Sequence, residues 1–279
     1  MSIKLMYITN KTDVAITAER MGVDRIFVDM EYIGKSDRQG GMDTVQSHHT
    51  VEDVKKIRNV ISKSDLLVRI NPIHNSTNSY CSSEDEINSV INAGADIIML
   101  PYFKSVSEVE RFIHIVNGKA KTMLLLETPE AVDIVDEILK LDGIDEIFIG
   151  LNDLSLGYKK RFMFELLEDG TVEELCLKFR KKGIPYGFGG IASIGSGTLP
   201  AEAILKEHYR LGSSIVILSR SFCNSDKINN IEEIEHIFST GVNLIRTFEK
   251  EISYHSKYFE DNKEFIKSCV SKIISSTNR

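Results

Sequence analysis

The sequence predicts an α/β fold, a (β/α)8 TIM barrel with extra C-terminal helices, and three observations carry that expectation. Eight short apolar runs alternate with segments whose apolar residues recur every three or four positions, the pattern of buried strands alternating with amphipathic helices. Gly22, Gly94, Gly143, Gly183 and Gly212 each stand between a helical segment and the next run, where a left-handed helix end suits a residue with no Cβ to clash. The chain has 279 residues, close to the roughly 250 that one such barrel uses. An open doubly wound sheet shares the alternation, so the count of eight units is what favours closure.

Taken in order, the strands are expected at Lys4 to Ile8, Arg25 to Asp29, Leu66 to Ile70, Ile97 to Leu100, Thr122 to Leu126, Glu146 to Ile149, Pro185 to Phe188 and Ile215 to Leu218. Helical spacing appears between them, as in Val54, Ile57 and Ile61, and again in Val106, Val109, Phe112 and Val116. Met99, Phe148 and Phe188 fall inside strand runs and read as core packing. After the second run, Tyr32 to Thr50 is a long polar connection of the kind that forms lids or binding loops. Beyond the last run, Ile231 to Ile252 and Phe259 to Ile274 read as helices, more than closing the barrel requires. One barrel domain over residues 1–279 is therefore expected, with residues 231–279 forming a helical extension against a neighbouring subunit of a homo-oligomer.

Composition narrows the function. The formal net charge of −7 offers no general basic surface, which disfavours nucleic acid and acidic lipid as partners. The four cysteines, Cys81, Cys176, Cys223 and Cys269, lack paired spacing and read as reduced thiols. The amino-terminal residues lack a signal-peptide core, and no later run approaches the roughly 20 apolar residues of a membrane span. No membrane association and a cytoplasmic location are expected.

Chemistry on a parallel barrel gathers at the carboxyl ends of its strands. Leu124-Leu125-Leu126 ends in Glu127, and Ile147-Phe148-Ile149 is followed by Asp153, so two carboxylates are expected at one rim. Carboxylate oxygens completed by water suit Mg²⁺ or Mn²⁺, with Co²⁺ as a further candidate, and the lack of clustered Cys and His argues against structural zinc. Arg69 closes its own apolar run at the same rim, where a permanent guanidinium charge can hold a carboxylate or a developing enolate oxygen. Asp29 reads as a hydrogen-bond acceptor at the core edge and stays outside the catalytic set. No lysine ends a central strand. Lys121 belongs at the opposite rim, and Lys35 and Lys104 read as solvated, so a Schiff-base mechanism is disfavoured.

Several segments together resemble the HpcH/HpaI aldolase and citrate lyase β-subunit family: Phe27-Val28-Asp29-Met30-Glu31, Leu67-Val68-Arg69-Ile70-Asn71-Pro72, Gly94 to Pro101, Leu126-Glu127-Thr128 and Gly150-Leu151-Asn152-Asp153-Leu154. The resemblance runs through roughly the first two-thirds of the chain. It implies a metal-dependent class II lyase in which Glu127 and Asp153 match the metal ligands, Arg69 matches the catalytic arginine, and Glu31 matches an acid that orients metal-bound water. Its implied substrate is a 2-oxo acid cleaved through a pyruvate-like enolate. Two other readings stand beside it: cleavage of a 3-hydroxy acyl-thioester, and a noncatalytic ligand-binding barrel.

The chain also departs from that pattern. Tyr32 stands where the pyruvate aldolases carry a histidine of the acid-base system, and Gly150-Leu151-Asn152-Asp153 replaces a common Gly-Pro-Ala-Asp. His48 and His49 are candidates to supply the missing base by folding over the rim. The competing reading makes them exposed loop residues or a contact at the helix start before Thr50. For substrate binding, the backbone around Pro101 and Asn152 is expected to seat a ligand carboxylate. Gly189 and Gly190 are expected to open a rim loop whose N–H groups hold a carboxylate or phosphate, with simple loop geometry as the alternative.

Overall fold

The computed structural model describes residues 2–35, 47–252 and 257–276. Within them the chain forms the eight strands β1 (Lys4–Ile8), β2 (Arg25–Asp29), β3 (Asp65–Arg69), β4 (Ile97–Leu100), β5 (Lys121–Leu126), β6 (Glu146–Ile149), β7 (Tyr186–Ile191) and β8 (Ile215–Leu218). Each pairs in parallel with the next, and β8 pairs with β1 to close the barrel. The predicted (β/α)8 fold is thus present, with strand limits that agree closely with the sequence except at β7.

The described helices are α1 (Thr12–Arg20), α2 (Val51–Arg58), α3 (Ser83–Asn92), α4 (Val106–Val116), α5 (Pro129–Asp133), α6 (Val135–Ile138), α7 (Leu151–Gly157), α8 (Glu165–Glu168), α9 (Thr171–Lys182), α10 (Ala201–Leu211), α11 (Ile231–Ile252) and α12 (Tyr258–Ser276). Thr50, Ser82 and Ser105 open α2, α3 and α4 with reciprocal capping boxes, which satisfy N–H groups the first turn leaves without helical partners. All five junction glycines singled out in the sequence have positive φ, from 71° at Gly212 to 97° at Gly94.

Strand alternation sorts the core into two compartments. One face of each strand meets the surrounding helices; the other fills the barrel with Met6, Phe27, Leu67, Met99, Met123 and Phe148. At the amino-terminal end of the barrel Arg25 and Glu146 join across the interior, Nη1 to Oε2 at 2.5 Å and Nη2 to Oε1 at 2.6 Å. Phe188 belongs to the outer compartment, stacked on His208 of α10 with centroids 3.9 Å apart.

The C-terminal helices turn their apolar faces onto their own barrel. α11 packs on α1 and α10, burying Ile234, Phe238, Val242 and Ile245, and α12 packs on α10 and α8. Residues 253–256 and 277–279 of that predicted extension, and 36–46 of the predicted lid, lie outside the described residues. No helix among the described residues is long and apolar enough to cross a membrane.

Candidate active site

Stepping in twos along β2 from Arg25 through Phe27 reaches Asp29, and along β3 Leu67 leads to Arg69. The sheet register makes Asp29 and Arg69 direct partners. Their side chains form a bidentate pair, Arg69 Nε to Asp29 Oδ1 and Nη2 to Oδ2, each 2.7 Å. Arg69 Nη1 lies 3.2 Å from Glu31 Oε2, and Lys35 Nζ lies 3.0 Å from Asp29 Oδ2 and 3.4 Å from Glu31 Oε2. Two cations and two carboxylates thereby form one buried quartet, from which Arg69 retains 13% side-chain exposure.

The charges in this quartet hold one another. Burial alone would push the Asp29 carboxyl up, but Arg69 and Lys35 keep it well below the usual carboxylate range. Burial would also lower Arg69, and Asp29 and Glu31 hold it well above its ordinary value. Asp29, expected as a hydrogen-bond acceptor at the core edge, accepts both hydrogen bonds of this pair and thereby fixes Arg69. One expectation is corrected here. Lys35, expected in solvent, is only 4% exposed, because the two carboxylates compensate a charge that could not be buried alone.

Glu127 follows β5 in phase with Met123 and Leu125 and is 3% exposed. Its Oε1 accepts a hydrogen bond from the Tyr102 N–H at 3.0 Å, and Tyr102 holds a left-handed φ of 49° there. Such a conformation costs a non-glycine residue about 1–3 kcal/mol and concentrates at functional sites. Next to Glu127, Thr128 caps α5: its Oγ1 accepts from the Ala131 N–H at 3.1 Å and donates to the Phe103 carbonyl at 2.8 Å. Asp153 lies in the first turn of α7, where the helix N-terminus favours negative charge.

Arg69, Glu127 and Asp153 line one cavity of about 370 Å³, together with Lys35, Asn152, Gly189 and Gly190. Gly150 permits the close approach at its wall: an added Cβ would stand 2.7 Å from both Cβ and Oε2 of Glu127. Two buried carboxylates on one cavity fit a hard divalent cation whose other positions go to water or ligand oxygens. Among the described residues, no group of three or more His, Cys, Asp or Glu side chains is placed to hold an ion. Glu127 and Asp153 are the two carboxylates that line this cavity and could serve as ligands.

The remaining predicted residues separate. Glu31 lies within the quartet beneath Arg69 and is fully buried. Pro101 is buried and lines neither this cavity nor the one beside it; its neighbour Tyr102 supplies the useful N–H instead. Gly189 and Gly190 do line the cavity, but inside β7 rather than in a loop after it. The register jumps from Gly187↔Ile215 to Gly190↔Ile217, a β-bulge in which Gly189 has a φ of 57°.

His48 and His49 line a second cavity, of about 450 Å³, on the β8 and β1 side of Arg69. His48 is exposed and His49 half-buried. The Asp29 N–H donates to His49 Nδ1 at 3.0 Å, so the neutral ring carries its proton on Nε2. Burial, only partly opposed by Asp29, Asp53 and Asp226, pushes the His49 pKa down and favours that neutral form. In this tautomer His49 offers a donor rather than the lone pair of a base. Tyr32, at the position of the missing histidine, is 40% exposed and packs on Tyr80 with centroids 5.4 Å apart; its N–H and that of Ile33 are held by Asn71 Oδ1.

Sequence reasoning missed Lys35 and Tyr102, and read Asp29 as an acceptor without its partner Arg69. Only Asp29 carried a usable signal, its phase with Phe27 and its register with Arg69.

Comparison with known proteins agrees with the barrel fold. A crystal structure of an HpcH/HpaI aldolase/citrate lyase family protein from Burkholderia cenocepacia J2315 has a TM-score of 0.61 at 14% identity, over 84% of this chain and 95% of that one. The HpcH/HpaI aldolase from Desulfitobacterium hafniense DCB-2 gives 0.54 at 16% identity, over 88% and 93%. At such identities the likeness speaks to the barrel alone. No curated protein matches. The sequence profile of HpcH/HpaI aldolase/citrate lyase matches residues 4–184, from β1 through the whole of α9. The chain therefore belongs to the HpcH/HpaI aldolase/citrate lyase family, and its function class is that of a lyase or aldolase.

Proposed function

We propose that the protein is a divalent-metal-dependent carbon–carbon lyase that cleaves a 4-hydroxy-2-oxo acid through a pyruvate-like enolate. What carries the reading is that Arg69, Glu127 and Asp153 line one cavity at the carboxyl end of the barrel. Glu127 and Asp153 would hold Mg²⁺ or Mn²⁺, or Co²⁺, and Glu31, 3.2 Å from Arg69 Nη1, would steady that guanidinium beside them. Such a cation polarises a 2-oxo acid and lowers the cost of the negative charge that cleavage leaves.

The chain's own groups divide the work. Arg69, immobilised by Asp29, presents its guanidinium to the oxygen that becomes the enolate; a fixed donor of this kind is worth about 10²–10³ in rate. Asn152 and the bulge at Gly189 and Gly190 border the space for the ligand carboxylate. In the reaction the bond between C3 and C4 breaks. The C4 hydroxyl gives up its proton and becomes the aldehyde carbonyl, and the electron pair passes to the enolate, which gains a proton at C3 to give pyruvate. His48, in the cavity beyond Arg69, is the proposed acceptor of the hydroxyl proton. His48→Ala should then lose most turnover, and full activity in that variant would exclude the assignment.

The decisive experiment compares 4-hydroxy-2-oxo acids with 3-hydroxy acyl-CoA compounds, with and without complete chelation. Metal-restored cleavage of the oxo acids is expected. Activity that survives chelation excludes the mechanism, and preference for the acyl-thioester replaces the substrate class. We further propose a cytoplasmic homo-oligomer, for which Leu244 of α11 and Phe265 of α12, 45% and 48% exposed, are apolar groups available to an interface. A strictly monomeric species by light scattering at micromolar concentration would refute the oligomer.

A further inference from the structure

The cavity on the β8 and β1 side of Arg69 is a built feature of the barrel mouth. It shares Ile8, Arg69, Ile217 and Arg220 with the cavity of Glu127 and Asp153, so the two lie side by side with the guanidinium on their common wall. Its outer wall, the chain after β8, is tied to β1. Tyr7 Oη lies 3.0 Å from the Cys223 carbonyl and 2.9 Å from Ser225 Oγ, and the Tyr7 ring meets Phe238 of α11 edge-on at 4.8 Å. Lys11 Nζ donates to the Ser225 carbonyl at 2.6 Å and lies 3.3 Å from Asp226 Oδ1.

The lining indicates what would bind. Asp226 faces Lys11, and Asp29 is taken up by Arg69 and Lys35, so these acids do not make the chamber a cation site. Asn10, Ser219 and Asn224 add neutral groups that both donate and accept hydrogen bonds. His49 adds a donor of fixed sense, because its Nδ1 is occupied by the Asp29 N–H and Nε2 sits on the opposite ring edge. Among the described residues, nothing accepts from that Nε2–H. Beside the guanidinium groups of Arg69 and Arg220 on the common wall, the amides, hydroxyls and one oriented N–H match a chain of hydroxyl groups, each of which donates and accepts.

We propose that this chamber seats the leaving-group half of the substrate, that this half is a hydroxylated aldehyde chain, and that His49 is the specificity residue donating Nε2–H to one of its hydroxyls. The inference rests on the lyase reading of the neighbouring cavity. A molecule cleaved beside Arg69 must place the atoms beyond C4 somewhere, and this chamber borders that point.

The test measures kcat/KM for aldol addition of pyruvate to glyceraldehyde and to acetaldehyde, in the presence of Mn²⁺, for the wild-type protein and for His49→Ala, His49→Gln and Asn224→Leu. A hydrogen bond is worth about tenfold, so the ratio of glyceraldehyde to acetaldehyde should fall about tenfold in His49→Ala. It should recover in part in His49→Gln, which keeps an N–H donor, and fall in Asn224→Leu on the other wall. A ratio that stays constant in all three overturns the proposal, as does an equal loss for both aldehydes in His49→Ala, which would mark the ring as part of the common chemistry. Exchange of pyruvate methyl protons in D2O by the wild-type protein separates the two failures. Exchange with an unaltered ratio removes only the chamber assignment, and no exchange with any metal removes the lyase reading and this one with it.

Discussion

Gly150→Ala tests the acid pair without deleting any functional group. Gly150 has a φ of −82° and a ψ of 87°, which alanine can adopt, so the substitution adds no left-handed strain. The added Cβ would instead meet Glu127 Cβ and Oε2 at 2.7 Å and Leu125 Cδ1 at 3.2 Å. Ordinary contact begins near 3.4 Å, so the Glu127 side must retreat by about 0.7 Å. The carboxylate could swing away alone, but its Cβ is tied to the end of β5, and the strand end must move with it. A misplacement approaching 1 Å costs about 10²-fold in rate, or about 2.7 kcal/mol of transition-state stabilisation. Overpacking also costs about 1–3 kcal/mol of stability, so the comparison belongs well below the melting transition. Titration calorimetry with Mn²⁺ should show affinity weakened by about 10–100-fold, and steady-state cleavage should show kcat down by about 10²-fold. A folded Gly150→Ala protein with wild-type metal affinity and wild-type kcat would show that Glu127 does not act from the position described here.

Three further outcomes follow from the same contacts. Asp29→Asn leaves Arg69 and Lys35 facing a single carboxylate, Glu31, and removes the bidentate grip; kcat should fall about 10²-fold, and unchanged turnover would refute the positioning role. Glu146→Ala leaves the buried Arg25 only Asp65, whose Oδ2 lies 3.6 Å from its Nε, and should cost about 3–5 kcal/mol in urea unfolding without entering the active site, whereas a loss below about 1 kcal/mol would show that the pair is not held as described. His208, pushed down to about 3 by burial, must stay neutral in the fold, while the unfolded chain protonates near 6.5. Its contribution is complete above pH 6.5 and is lost as pH falls towards 3, which is about 2 kcal/mol between pH 7 and pH 5; His208→Gln should flatten that slope in pH-dependent unfolding, and an unaltered slope would contradict it.

The barrel was legible because its determinants are local. Apolar runs of strand length and glycines at helix ends can be read residue by residue, and the positive φ at Gly22, Gly94, Gly143, Gly183 and Gly212 follows from the same steric rule that singled them out. The exception, β7, shows the limit. Gly189 and Gly190 signal a turn by composition, yet the strand continues through them because a bulge absorbs the extra residue and the neighbouring strand supplies hydrogen bonds. Pro101 fails for a related reason: it marks the end of β4, but the group used lies one residue on, at Tyr102, whose left-handed backbone no sequence signal announces.

Within the site, legibility followed distance along the chain. Arg69, Glu127 and Asp153 could be placed because each ends or follows its own strand, so one rule about strand ends brings all three to one rim. Asp29, Lys35 and the histidines depend on relations between elements. Whether Asp29 braces Arg69 depends on the register of β2 against β3, and a slip of one residue would have turned its carboxylate into the helical layer. Whether Lys35 is solvated or buried depends on two carboxylates in the strand and turn before it. Whether a histidine serves as acid, base or donor depends on which ring nitrogen is already occupied, and for His49 that is decided by one backbone N–H of β2. In the proposed reading, Arg69 and the two carboxylates are set by strand ends, whereas proton transfer and substrate choice fall to His48, His49 and the residues after β8. Exchanging the connections after β2 and β8 between relatives of this barrel should therefore change the aldehyde accepted while leaving enolate formation to Arg69, Glu127 and Asp153.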